Sequence, residues 1–112
     1  LLVEDDPRSH SALRRILLGR GWHVDSAMTL QAGRDLLANL PEAVILDLML
    51  PDGNGADLLE QIRAARLDIR VVVATGVVAP STLEAIQALE PQALLIKPIN
   101  LDELLRVLEG GS

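Results

Sequence analysis

The run from Ala43 to Leu48, AVILDL, places apolar side chains at consecutive positions without polar alternation, and a single aspartate interrupts it near its end. A strand with one wet face alternates apolar and polar residues, whereas a strand covered on both faces does not. The run therefore asks for a sheet with helices on both sides. Ile69 to Thr75 (IRVVVAT) and Ala93 to Ile96 (ALLI) carry the same signature, and Leu1 to Val3 (LLV) reads as the end of a strand whose beginning is missing. Trp22 to Ala27 (WHVDSA) alternates and reads as a half-buried strand. Between these runs lie helical patterns. Asp6 and Pro7 give an N-cap and a first-turn proline before Leu13, Ile16 and Leu17, with Gly19 and Gly21 as the stop. Thr29 caps a second helix carrying Ala32, Leu36 and Leu37, with Pro41 beyond its end. Leu58, Leu59 and Ile62 mark a third. Ser81 with Glu84 forms a capping-box pattern for a fourth helix bearing Leu83, Ile86 and Leu89. Asn100 with Glu103 repeats the signal ahead of Leu101, Leu104, Leu105 and Leu108. Five strands alternating with five helices predict one parallel sheet in a three-layer α/β sandwich, because each return to a parallel strand needs a right-handed crossover.

Composition bounds the function. At 112 residues and 49% hydrophobic content the chain is one domain able to bury a core unaided. It contains no cysteine, so disulfides and thiolate metal sites are excluded. A formal charge of −6 argues against a nucleic-acid contact made by this domain. No apolar run reaches the roughly 18 residues of a membrane span and no leader pattern opens the chain, so the expectation is a soluble, cytoplasmic domain without a membrane contact. Residues 1–109 read as the domain and 110–112, GGS, as the start of a linker.

In a doubly wound sheet, ligands gather beyond the carboxyl ends of the strands. The residues standing there are Glu4 and Asp5, Asp47, Thr75 and Lys97. Each has an ordinary explanation by itself: acids suit a helix N-terminus, Asp6 is accounted for by capping, Thr75 and Gly76 fit a turn, and Lys97 fits the surface. Four strand ends carrying complementary groups call for a joint explanation. Clustered carboxylates with no imidazole or thiolate nearby suit a hard cation, Mg²⁺ or Mn²⁺. Such a cation together with a lysine favours a phosphoryl group, and an aspartate can accept it as an acyl phosphate. The Thr75 hydroxyl would then have an oxygen to bond, and Gly76 would leave room at the backbone.

The segments LLVEDDP, VILDLMLPDGNG, VVVATG and LLIKPI, in this order and spacing, resemble the receiver domain of two-component response regulators over essentially the whole chain. The resemblance implies a flavodoxin-like fold with strand order 2-1-3-4-5. It implies that Asp47 is the phosphoacceptor, that Glu4 and Asp5 bind the metal with Asp47, and that Met49 offers its backbone carbonyl as a further ligand. Thr75 matches the switch hydroxyl, Lys97 the lysine paired with the aspartate, and Lys97-Pro98 a cis peptide. The implied chemistry is transfer from the phosphohistidine of a sensor kinase or phosphotransfer protein, followed by slow hydrolysis. The implied role is control of an output domain or effector outside this chain, without enzymatic turnover.

Several positions depart from that pattern. Leu94 stands where receivers often carry Tyr or Phe, so the usual coupling of a ring to the threonine cannot operate. The fourth helix carries Glu84 and Glu90 and no basic residue, which argues against a charge-paired dimer through it and leaves another weak dimer open. Met49 and Val77, two residues beyond Asp47 and Thr75, are both apolar and suggest a long-lived phosphoryl state. His10 and His23 read as surface residues. Among competing classes, a flavin-binding flavodoxin would need phosphate donors where VEDDP offers carboxylates, and an aspartyl phosphatase would want a second acid at Met49. A degenerate receiver that acts only as a protein-binding module is the remaining alternative.

Overall fold

In the computed structural model, residues 1–76 and 79–110 are described. Strands β1 (Leu2–Val3), β2 (Ser26–Ala27), β3 (Ala43–Leu46), β6 (Arg70–Thr75) and β7 (Ala93–Ile96) form one sheet in the order β2-β1-β3-β6-β7, every pair parallel. Counting these five alone gives the order 2-1-3-4-5, as expected. Helices α1 (Pro7–Gly19), α2 (Leu30–Leu37), α3 (Ala56–Ala64), α4 (Pro80–Gln87) and α5 (Leu101–Leu108) connect them. A small antiparallel pair, β4 (Met49–Leu50) with β5 (Gly53–Asn54), follows β3 and was not anticipated from the proline and glycines there.

The absence of alternation in β3 has the expected consequence. Val44 and Leu46 join Leu58, Leu59, Ile62 and Ile86 in a core beneath α2, α3 and α4. Ala43 and Ile45 face the other way, with Leu13, Leu17, Leu104 and Leu108 of α1 and α5. Each layer takes every second residue of the strand, so both faces must be apolar.

Local signals were read with mixed success. Thr29 accepts from the Ala32 amide at 3.0 Å and Asn100 from the Glu103 amide at 3.1 Å, both as N-caps. Ser81 is no cap: α4 starts at Pro80 behind Ala79, because proline fixes the first helical turn one residue earlier. Asp6 stands at the N-cap of α1 but takes the Ser9 hydroxyl at 2.8 Å instead of a backbone amide. The β2 strand is shorter than Trp22–Ala27, its pairing with β1 running from Leu2 opposite Ser26 to Val3 opposite Ala27. Among the described residues no helix is long and apolar enough to cross a membrane.

Candidate functional site

Register brings the expected residues together. Val3 pairs with Leu46, so Glu4 and Asp47 leave adjacent strands side by side. Thr75 pairs with Ile96, so Lys97 is the next residue along, and its amide donates to the Thr75 carbonyl at 2.8 Å. Glu4 is 3% exposed, Asp47 8% and Thr75 0%, so these polar groups are buried at the rim of an apolar sheet. Charges in that setting need compensation. Lys97 Nζ provides it, donating to Glu4 Oε1 at 2.6 Å and to Asp47 Oδ2 at 2.9 Å. The Met49 amide donates to Asp47 Oδ1 at 3.2 Å. Lys97-Pro98 is cis.

Asp5, more exposed than its neighbours, completes a group in which oxygens of Glu4, Asp5 and Asp47 all lie within 4.8 Å of one another. Glu4 Oε2 is buried and has no hydrogen-bond partner among the described residues. A hard cation with oxygen ligands fits this donor set and would take up that oxygen. Burial is the largest influence on Glu4 and, with Asp47 adding to it, raises its carboxyl above the ordinary range against the pull of Lys97. Burial works to raise Asp47 too, but the adjacent Glu4 carboxyl and the Lys97 ammonium outweigh it and hold Asp47 below the ordinary range. The asymmetry leaves Asp47 as the more readily ionised of the two. For Lys97, burial opposes the charge and the bonds to Glu4 and Asp47 win, raising its ammonium above the usual value.

The remaining sequence candidates fall around this centre. Gly76 is exposed and a Cβ there would meet nothing within 4 Å, so the space beside Thr75 is open. Leu94 is half-buried against the core beneath α2, α3 and α4. Met49 turns its side chain outward, 67% exposed, and Val77 lies outside the described residues. His23 is exposed and meets Asp25 at 3.1 Å. His10, expected on the surface, is instead buried at 7% exposure, with Nδ1 2.8 Å from the Glu4 carbonyl oxygen. Its spacing to Leu13 and Leu17 on the buried face of α1 was the available signal.

Two further residues were missed. A Cβ on Gly55 would overlap the Asp47 carbonyl oxygen, so the loop closes over the aspartate only with glycine there. The Asp52 carboxylate accepts from the Leu30 and Gln31 amides at 2.7 and 2.9 Å, fastening the hairpin tip to the start of α2.

A family model described as the response regulator receiver domain matches residues 1–109. The chain belongs to that receiver family. The receiver is 34% identical over 109 residues to the photosynthetic apparatus regulatory protein RegA of Rhodobacter capsulatus, covering 96% of this chain and 59% of the relative. It is 36% identical over 108 residues to the response regulator MprA of a Mycobacterium species (strain KMS), covering 94% and 46%. The receiver thus spans about half the length of the curated relatives it matches. Among solved structures it resembles a CheY-like receiver domain protein from Methanospirillum hungatei JF-1, with a TM-score of 0.90 at 25% identity over 98% of this chain and 89% of the other. It also resembles the non-phosphorylated HemR receiver domain from Leptospira biflexa, with a TM-score of 0.86 at 33% identity over 96% and 88%. Both the receiver fold and a place in two-component signalling follow from these likenesses.

Proposed function

We propose that this receiver accepts a phosphoryl group from a phosphohistidine onto Asp47 and passes the change to an output domain or effector outside the chain. The observation that carries the reading is the Lys97 ammonium bridging Glu4 and Asp47 beside a buried Glu4 oxygen that has no partner among the described residues. Glu4, Asp5, Asp47 and the Met49 backbone carbonyl would hold Mg²⁺ or Mn²⁺. Bound there, the ion supplies positive charge for the phosphoryl oxygens. An Asp47 carboxylate oxygen attacks phosphorus, the new P–O bond forms as the P–N bond breaks, and the released imidazole takes a proton from solvent. Lys97, already 2.9 Å from Asp47, stabilises the charge that arrives. Thr75 offers its hydroxyl to the phosphoryl oxygens, and Gly76 leaves the approach open. Water then attacks phosphorus and restores the carboxylate with release of inorganic phosphate.

With Leu94 half-buried and no Tyr or Phe in the chain, the switch operates through Thr75 and aliphatic repacking, without a moving ring. Residues 1–109 form the working domain, in the cytoplasm and without direct nucleic-acid contact. It assists its own phosphorylation and dephosphorylation and is not a turnover enzyme. Intact mass after incubation with acetyl phosphate and Mg²⁺ tests the reading. One added phosphoryl group, absent in Asp47→Ala and in EDTA, is expected. No adduct with any divalent ion would overturn it in favour of a phosphorylation-independent interaction module.

A further inference from the structure

His10 contributes nothing to the chemistry above and yet is buried against it. The Val3 carbonyl is where β1 last pairs with β3, accepting from the Asp47 amide at 3.0 Å. Glu4 keeps one tie to the sheet, its amide donating to the Ala27 carbonyl at 3.0 Å, and its own carbonyl turns toward α1. The His10 ring meets it there, with Nδ1 at 2.8 Å. A carbonyl only accepts, so Nδ1 must carry the hydrogen, and the tautomer of the neutral ring is Nδ1–H. Among the described residues Nε2 is buried with no hydrogen-bond partner and the Glu4 contact is the ring's one polar bond.

The consequence is mechanical. Residues 4–10 form a closed turn, because the His10 side chain returns to Glu4 while its amide donates to the Asp6 carbonyl at 2.9 Å. The Ser9 hydroxyl, bonded to Asp6 Oδ2 at 2.8 Å, tightens the same turn. Asp5 lies inside it, and Glu4 forms its first corner. Groups bonded behind metal-binding carboxylates set their direction, and losing them weakens metal binding although they never touch the ion.

We propose that His10 is a positioning residue for the cation site: its Nδ1–H to the Glu4 carbonyl holds the turn that aims Glu4 and Asp5 at a divalent ion. The inference rests on the metal-binding reading of Glu4 and Asp5 given above. Mn²⁺ binding, followed by the loss of the free-ion electron paramagnetic resonance signal, tests it in wild type, His10→Leu and His10→Gln. Leucine fills the space without a donor; glutamine retains an N–H that can reach the carbonyl. His10→Leu is expected to weaken Mn²⁺ by roughly tenfold, and His10→Gln to recover most of that loss. In acetyl phosphate reactions the Mg²⁺ concentration for half-maximal rate should rise in His10→Leu while the rate at saturating Mg²⁺ stays near wild type. Wild-type Mn²⁺ affinity in a folded His10→Leu protein would overturn the proposal and leave His10 a packing residue. Absence of Mn²⁺ binding in wild type would overturn the metal-binding reading, and the proposal with it. Nitrogen-15 spectra of the wild-type imidazole give a readout that does not depend on a variant folding: an Nδ1–H tautomer is expected, and an Nε2–H tautomer would refute the bond.

Discussion

Replacing Glu4 by glutamine removes one charge from a cluster of three carboxylates and one ammonium while preserving its shape. Oxygens of Glu4, Asp5 and Asp47 lie within 4.8 Å of one another. At that distance and an effective dielectric of about 20, each carboxylate pair repels by roughly 3.5 kcal/mol, and the Lys97 contact to Glu4 at 2.6 Å attracts by roughly 6. The neutral amide would thus escape two repulsions and forfeit one attraction of comparable total size, and it would also avoid the cost of burying an ion, itself several kcal/mol. Allowing for solvent screening at Asp5 and Lys97, the metal-free Glu4→Gln variant should be more stable than wild type by about 1–3 kcal/mol, in keeping with the raised Glu4 carboxyl. Mg²⁺ should reverse the order. At about 100 times its Kd, the ion stabilises a protein that binds it by about 2.7 kcal/mol, and the variant has lost a ligand. Urea unfolding of both proteins in EDTA and in excess Mg²⁺ measures the effect. A variant less stable than wild type in EDTA would refute the charge argument, because the Lys97 pair would then outweigh the crowding. Equal stabilisation of both proteins by Mg²⁺ would refute the assignment of Glu4 as a ligand.

Other expectations follow from packing and hydrogen bonding. Gly55→Ala should cost about 3 kcal/mol or more, since its Cβ would overlap the Asp47 carbonyl, and should depress acetyl phosphate labelling; thermal melts and intact mass report both. Leu58→Ala, at a position with 0% exposure beneath the sheet, should lose about 2–5 kcal/mol in urea unfolding without altering the Mg²⁺ concentration needed for labelling. Asp52→Asn should speed hydrogen exchange at the Leu30 and Gln31 amides. The two amide bonds hold the Asp52 carboxyl below its ordinary value of 3.8, so its contribution is present above that pH and lost as pH falls through the lower folded value; the Asn variant should lose this acid dependence.

The strands were legible because β3 and β6 are apolar at every core position, and a parallel sheet is what covers both faces of such a run. The candidate site followed from the same reading, since parallel register carries Glu4, Asp47, Thr75 and Lys97 to one rim wherever the strands start. Features that depend on contacts between distant segments stayed hidden. Asp52 finds its partners at Leu30 and Gln31, twenty-odd residues away, and no local pattern marks that. Gly55 is dictated by the Asp47 carbonyl above it, which the chain reaches only after the β4–β5 hairpin turns. The surface reading of His10 is wrong: its spacing to Leu13 and Leu17 marks the buried face of α1, and helical spacing alone does not name the carbonyl it meets. Ser81 misled because a capping box competes with a proline one residue earlier, and the fixed φ of Pro80 decided the helix start.

The most direct measurement is the chemical location of the phosphoryl group. Acyl phosphates are reduced by borohydride to the corresponding alcohol, so protein treated with acetyl phosphate and Mg²⁺, then borohydride, should yield homoserine in place of Asp47 in peptide mass spectra. The expected result is conversion at Asp47 that requires the divalent ion, with Glu4 and Asp5 unchanged. Conversion at Glu4 or Asp5, or none at all, would contradict the assignment of Asp47 as the group that accepts phosphate.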